Sequence, residues 1–68
     1  MSQMHIYAKE FEFLYKTIQE HKKENKPCGE YVTQMTQVMT KMEKEDRVLA
    51  PHFIDTIKDK VNKELESE

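Results

Sequence analysis

Met4-His5-Ile6-Tyr7-Ala8-Lys9-Glu10-Phe11-Glu12-Phe13-Leu14-Tyr15-Lys16-Thr17-Ile18 is the stretch that decides the fold. Within it, Met4, Tyr7, Phe11, Leu14 and Ile18 recur at intervals of 3, 4, 3 and 4 residues. A helix turns about 100° per residue, so these five side chains fall on one narrow stripe, widened by Ala8 and Tyr15. Glu12 and Lys16 stand one turn apart, a favourable helical pair. Ser2 can serve as the N-cap of this helix, its hydroxyl accepting from a free amide of the first turn. At the other end, His21-Lys22-Lys23-Glu24-Asn25-Lys26 places basic side chains against the partial negative charge of a helix C-terminus. Pro27 then disfavours helical geometry in the residue before it.

Working outward, the only Gly and Pro residues are Pro27, Gly29 and Pro51. They divide the chain into three segments, each with a helical apolar period. The second segment begins near Cys28–Glu30. Its stripe is Tyr31, Met35, Val38 and Met42, flanked by Val32 and Met39, and Lys41–Glu45 and Glu43–Arg47 support its later turns. The third begins at Pro51, which suits a first helical position because its missing N–H would be unpaired there. Phe53, Ile54, Ile57, Val61 and Leu65 share one face, with Asp59–Lys63 and Lys60–Glu64 on the exposed side. A helix running through Pro51 from the second segment would lose a hydrogen bond and clash, at about 3 kcal/mol, so two separate helices are expected. The reading is an all-α single domain over residues 1–68, with helices at about 3–24, 30–47 and 51–66. It is a three-helix bundle, or a helical hairpin plus a third helix, completed by dimerisation.

Size supports that last expectation. The chain has 68 residues, 11 Lys and Arg against 13 Asp and Glu, and a net charge of −2. A domain of this length buries only about 60% of its unfolded surface and needs something to supplement its core. One cysteine excludes an internal disulfide and fits a reducing compartment, so the expected location is cytoplasmic. No apolar run reaches the ~20 residues of a membrane span. No basic region followed by an apolar stretch opens the chain, so no secretory signal is expected.

Two surfaces exceed what one small bundle requires. Ile6 and Phe13 lie about 180–200° from Met4, opposite the main stripe and on one line, surrounded by Lys9, Glu10, Lys16 and Glu20. A second rib of Ile and Phe points to burial against another subunit or a partner. Isolated surface hydrophobes are common and by themselves mean little; it is the alignment that carries the reading. A two-fold pair of these helices, antiparallel in the simplest arrangement, is expected. On the second helix, Thr33, Gln34, Thr36, Gln37 and Thr40 form an outward face with no charge between Tyr31 and Thr40. Thr is a poor choice for an exposed helix, but uncharged side chains are cheaper to desolvate than charges. A merely solvated polar face is the plainer alternative.

Catalytic chemistry has little foundation. Cys28 lies between Pro27 and Gly29 at the expected start of the second helix, a place that suits a reactive thiol, but a thiol enzyme also needs a base and an oxyanion site. His21 is seven residues upstream. His5, His21 and His52 have no zinc-type spacing, and Asp55 and Asp59 sit among lysines. One glycine cannot build a phosphate loop. No cofactor, metal or enzymatic activity is expected. Nucleic-acid binding is the rival from a different class, because small three-helix proteins bind DNA through helix-turn-helix units. Here Lys22, Lys23 and Lys26 alternate with Glu20 and Glu24, and Arg47 is the single arginine, so a DNA partner is disfavoured. The sequence reading is a homodimeric regulator or inhibitor that binds and blocks a larger protein. Its sharpest form is a phage-encoded or bacterial inhibitor, by analogy of size and composition with small proteins of that kind. A helical DNA-binding regulator and a structural oligomer subunit are the alternatives.

Overall fold

A computed structural model of the chain describes residues 3–67. The Ser2 cap falls outside them. Three helices follow in order: α1 over Gln3–Lys23, α2 over Gly29–Glu45 and α3 over Leu49–Glu66. The described chain is 86% helical and has no strands. α1 packs against both other helices, most extensively against α2.

Each helix buries the stripe its period defines. Met4, Ala8, Phe11, Leu14 and Ile18 are buried on α1, Val38 and Met42 on α2, and Ala50, Ile54, Ile57 and Val61 on α3. Tyr7, Tyr15, Tyr31, Met35, Met39, Phe53 and Leu65 pack around that core. The Tyr15 hydroxyl donates to Asn62 Oδ1 at 3.2 Å, tying α1 to α3. Phe11 and Tyr15 stack with ring centroids 5.9 Å apart. The Lys41 ammonium lies 5.9 Å from the centre of the Tyr7 ring, linking α2 to α1.

The helix ends depart from the sequence reading in three instructive ways. First, α1 is closed by Asn25 more than by Pro27. Asn25 has φ 59°, the left-handed region that Asn tolerates better than most residues. The reversal lets the Lys26 amide donate to the His21 carbonyl at 2.8 Å and the Asn25 amide to Lys22 at 3.2 Å. That pair of bonds is a Schellman closure.

Second, α2 stops at Glu45, not 47, and third, α3 starts at Leu49, not 51. Asp46 causes both changes. Its backbone is extended, at φ −159° and ψ 105°. Its amide still makes the last helical bond of α2, to the Met42 carbonyl, and its extended backbone then ends the helix. Its Oδ1 accepts the amides of Val48 at 2.9 Å and Leu49 at 3.0 Å, and its carbonyl accepts the Ala50 amide. Asp46 therefore caps the entry to α3 and satisfies donors that a helix start leaves orphaned. Pro51 becomes the third residue of α3 instead of the first, directly after the Ala50 amide that already bonds the Asp46 carbonyl. Arg47 lies outside α2, so the expected helical Glu43–Arg47 pair is not formed within that helix.

Among surface charges, Lys63–Asp59 forms at 3.2 Å as the spacing predicts. Glu12 instead bonds Lys60 across α1 and α3 at 3.3 Å. Such exposed pairs contribute little to stability.

Candidate protein interface

Ile6 and Phe13 lie opposite the buried stripe of α1 and are 52% and 66% exposed. Thr33, Gln34, Thr36, Gln37 and Thr40 are all exposed on α2. The structure joins parts of these two surfaces. Phe13, Gln34 and Gln37 line one solvent-open groove of about 510 Å³ between α1 and α2, together with Lys9, Glu10, Leu14, Val38 and Lys41. Phe13 also borders a second groove, towards α3, with Lys9, Glu12, Lys16 and Lys60. Ile6, Thr33, Thr36 and Thr40 line neither groove.

The threonines have a specific chemistry. Thr33 donates its hydroxyl to the Gly29 carbonyl at 3.1 Å, Thr36 to Val32 at 3.0 Å and Thr40 to Thr36 at 3.1 Å. Each bond reaches back one turn within α2. The hydroxyl donors are thus already used, so covering this face does not strand them.

Sequence reasoning missed a third apolar surface. Val48 is 84% exposed and Leu49 45% exposed, both at the turn into α3. Leu49 and Phe53 border a depression with Met4, His5, Glu45 and Asp46. The signal was the run Val48-Leu49-Ala50 before Pro51, but only the early start of α3 decides that Ala50 goes inward while Val48 and Leu49 stay out. Val32, assigned to the flank of the α2 core stripe, is 38% exposed and contributes to the outer surface instead.

His21 and Cys28 have separate surroundings. His21 Nδ1 lies 3.1 Å from the Pro27 carbonyl, and the ring meets Tyr31 edge-on at 5.1 Å. These contacts tie the α1–α2 loop to both helices. Cys28 is a free, half-buried thiol preceding α2 and gives that helix no side-chain cap. Among the described residues, no group of three or more His, Cys, Asp or Glu could hold a metal ion. No described helix is long and apolar enough to cross a membrane. The Lys26 ammonium bonds Glu24 at 2.9 Å, and that hydrogen bond, aided by the ammonium's charge, holds the Glu24 carboxyl below its usual range.

Comparison with protein-family models, curated proteins and solved structures returned no match to this chain.

Proposed function

We propose that this chain is a non-enzymatic protein-interaction module, a small homodimeric regulator or inhibitor that binds and blocks a larger protein. The observation that carries the reading is the continuity of two surfaces. The uncharged face of α2 runs into the groove lined by Phe13, Gln34 and Gln37. The threonine hydroxyls on that face are satisfied within the helix, so desolvating it is cheap. Phe13 supplies the kind of aromatic side chain that anchors protein interfaces. In this reading the outer rib of α1, Phe13 included, meets a second copy, and the adjoining α2 face, left exposed beside that seam, meets the larger partner.

The charge pattern supports a protein partner over DNA. Lys22, Lys23 and Lys26 alternate with Glu20 and Glu24, and Arg47 is the single arginine, so no face of the chain carries an excess of basic side chains in that cluster. Phosphate binding instead calls for lysines and arginines free on one face.

The test is affinity capture from a lysate of the source cell, followed by reconstitution with the purified captured protein. Wild type is compared with the double variant Thr36→Lys, Gln37→Lys, whose helicity is checked by circular dichroism. The expected result is a partner bound by wild type and lost by the folded double variant. Equal binding by both, or no specific partner, counts against the reading. Duplex DNA bound with sequence preference at moderate salt would favour the DNA-binding alternative.

A further inference from the structure

The geometry points to a parallel two-fold pairing of α1 with α1 of a second copy, seamed by Ile6 and Phe13 and bracketed by Lys9 and Glu10. This inference rests on the homodimer reading above and specifies its interface.

Ile6 and Phe13 are seven residues apart, so they stand nearly above one another, two turns apart along the helix. Lys9 and Glu10 lie between them in height and on opposite flanks, about 50° to either side of the Ile6–Phe13 line. Both are exposed. Among the described residues, neither forms an ion pair within the chain. Their charges are therefore free to meet charges on another molecule.

The orientation follows from symmetry. In a parallel two-fold pair, one flank of each helix faces the opposite flank of its partner. Lys9 then faces Glu10 of the second copy, and Glu10 faces its Lys9, giving two ion pairs astride an Ile–Ile and Phe–Phe seam. In an antiparallel pair, each flank faces the same flank of the partner. With the two-fold axis at their height, Lys9 would then confront its own copy on one side and Glu10 its own copy on the other, and sliding the axis along the helix would set Lys9 against Lys16. Flanking charges set helix orientation in this way in coiled coils. The parallel arrangement thus replaces the antiparallel one that simplicity suggests. Glu20 occupies the next position along the seam and ends it, because two copies of it would repel. The contact is short, about two turns, so the dimer is weak.

The experiment combines sizing with cross-linking. Sedimentation of wild type, Lys9→Glu, Glu10→Lys and the Lys9→Glu, Glu10→Lys double variant is measured over a concentration series. Each single change turns two attractive pairs into two repulsive ones and should weaken dimerisation about tenfold, with recovery in the double variant. In a Cys28→Ser background, Ile6→Cys and Phe13→Cys are oxidised separately. Both should form disulfide-linked dimers, since a parallel pair brings every seam position to its own copy. An antiparallel pair can do so at only one of two positions that lie about 10 Å apart along the axis. A dimer that cross-links at one site or neither, or that the single charge changes leave intact, overturns the parallel arrangement while the homodimer stands. A wild-type chain that stays monomeric at several hundred micromolar overturns both.

Discussion

Asn25 and Asp46 set the two turns of this chain, Asn25 through its backbone conformation and Asp46 through both its backbone and its carboxylate. Asn25 holds a left-handed conformation. Glycine occupies that region without strain, whereas a β-branched residue does not. Asn25→Gly is therefore expected to match or exceed wild-type stability, and Asn25→Val to lose about 1–2 kcal/mol. Chemical denaturation of the two variants checks this; equal stability would mean that the loop closes without the left-handed turn. Asp46 accepts two amides at the entry to α3. Asp46→Ala should cost about 0.5–2 kcal/mol, with Asp46→Asn recovering most of it, because an amide oxygen caps nearly as well. Neither role was legible beforehand. Asn25 sits in a run of lysines and glutamates that reads as a fading helix end, and Pro27 draws attention away from it. Asp46 looks like one more charge near the end of α2.

Among the elements, α1 separates core from surface most sharply. Phe11 is fully buried and Phe13 is 66% exposed, although only Glu12 separates them. Phe11→Glu forces a carboxylate into the packed interior and should abolish cooperative unfolding. Phe13→Glu should leave the monomer folded and helical while shifting sedimentation towards monomer. Circular dichroism and ultracentrifugation of both variants test the pair; a helical, cooperatively folded Phe11→Glu would show that the stripe is assigned to the wrong face. This distinction was readable from the 3, 4, 3, 4 spacing alone, since a helix facing one core has one inward direction. On α2 the same logic placed Val38 and Met42 inward but overestimated Val32, which lies at the margin of the stripe. Marginal positions depend on how closely neighbouring helices approach, and periodicity does not contain that distance.

The whole molecule measures 36 × 25 × 17 Å across its Cα atoms. A slab this thin keeps few residues far from water, and among the described residues the largest fully buried side chains are Phe11, Ile18, Met42 and Val61. Phe11→Ala, at about 3–5 kcal/mol, would consume a large part of the stability such a domain has. The proposed association through the α1 rib would add to the stability of the folded state by mass action. The melting temperature should therefore rise with protein concentration across the micromolar range, and the rise should vanish in Phe13→Glu. A midpoint independent of concentration would separate folding from self-association and leave the rib to a heterologous partner.

The all-α class, the three segments and the inward stripes were legible in the residues because they depend on local geometry. A 3.6-residue period, two prolines and one glycine act within a few positions along the chain. Helix ends, the burial of Ala50, the exposure of Val48 and the groove joining Phe13 to Gln34 and Gln37 were decided only by the packed structure. Asp46 can cap α3 only after α2 has stopped at the right height, and Phe13 can border α2 only once Leu14 and Val38 have packed beneath it. Those relations depend on distances between segments remote in sequence, which no local pattern of residue types encodes.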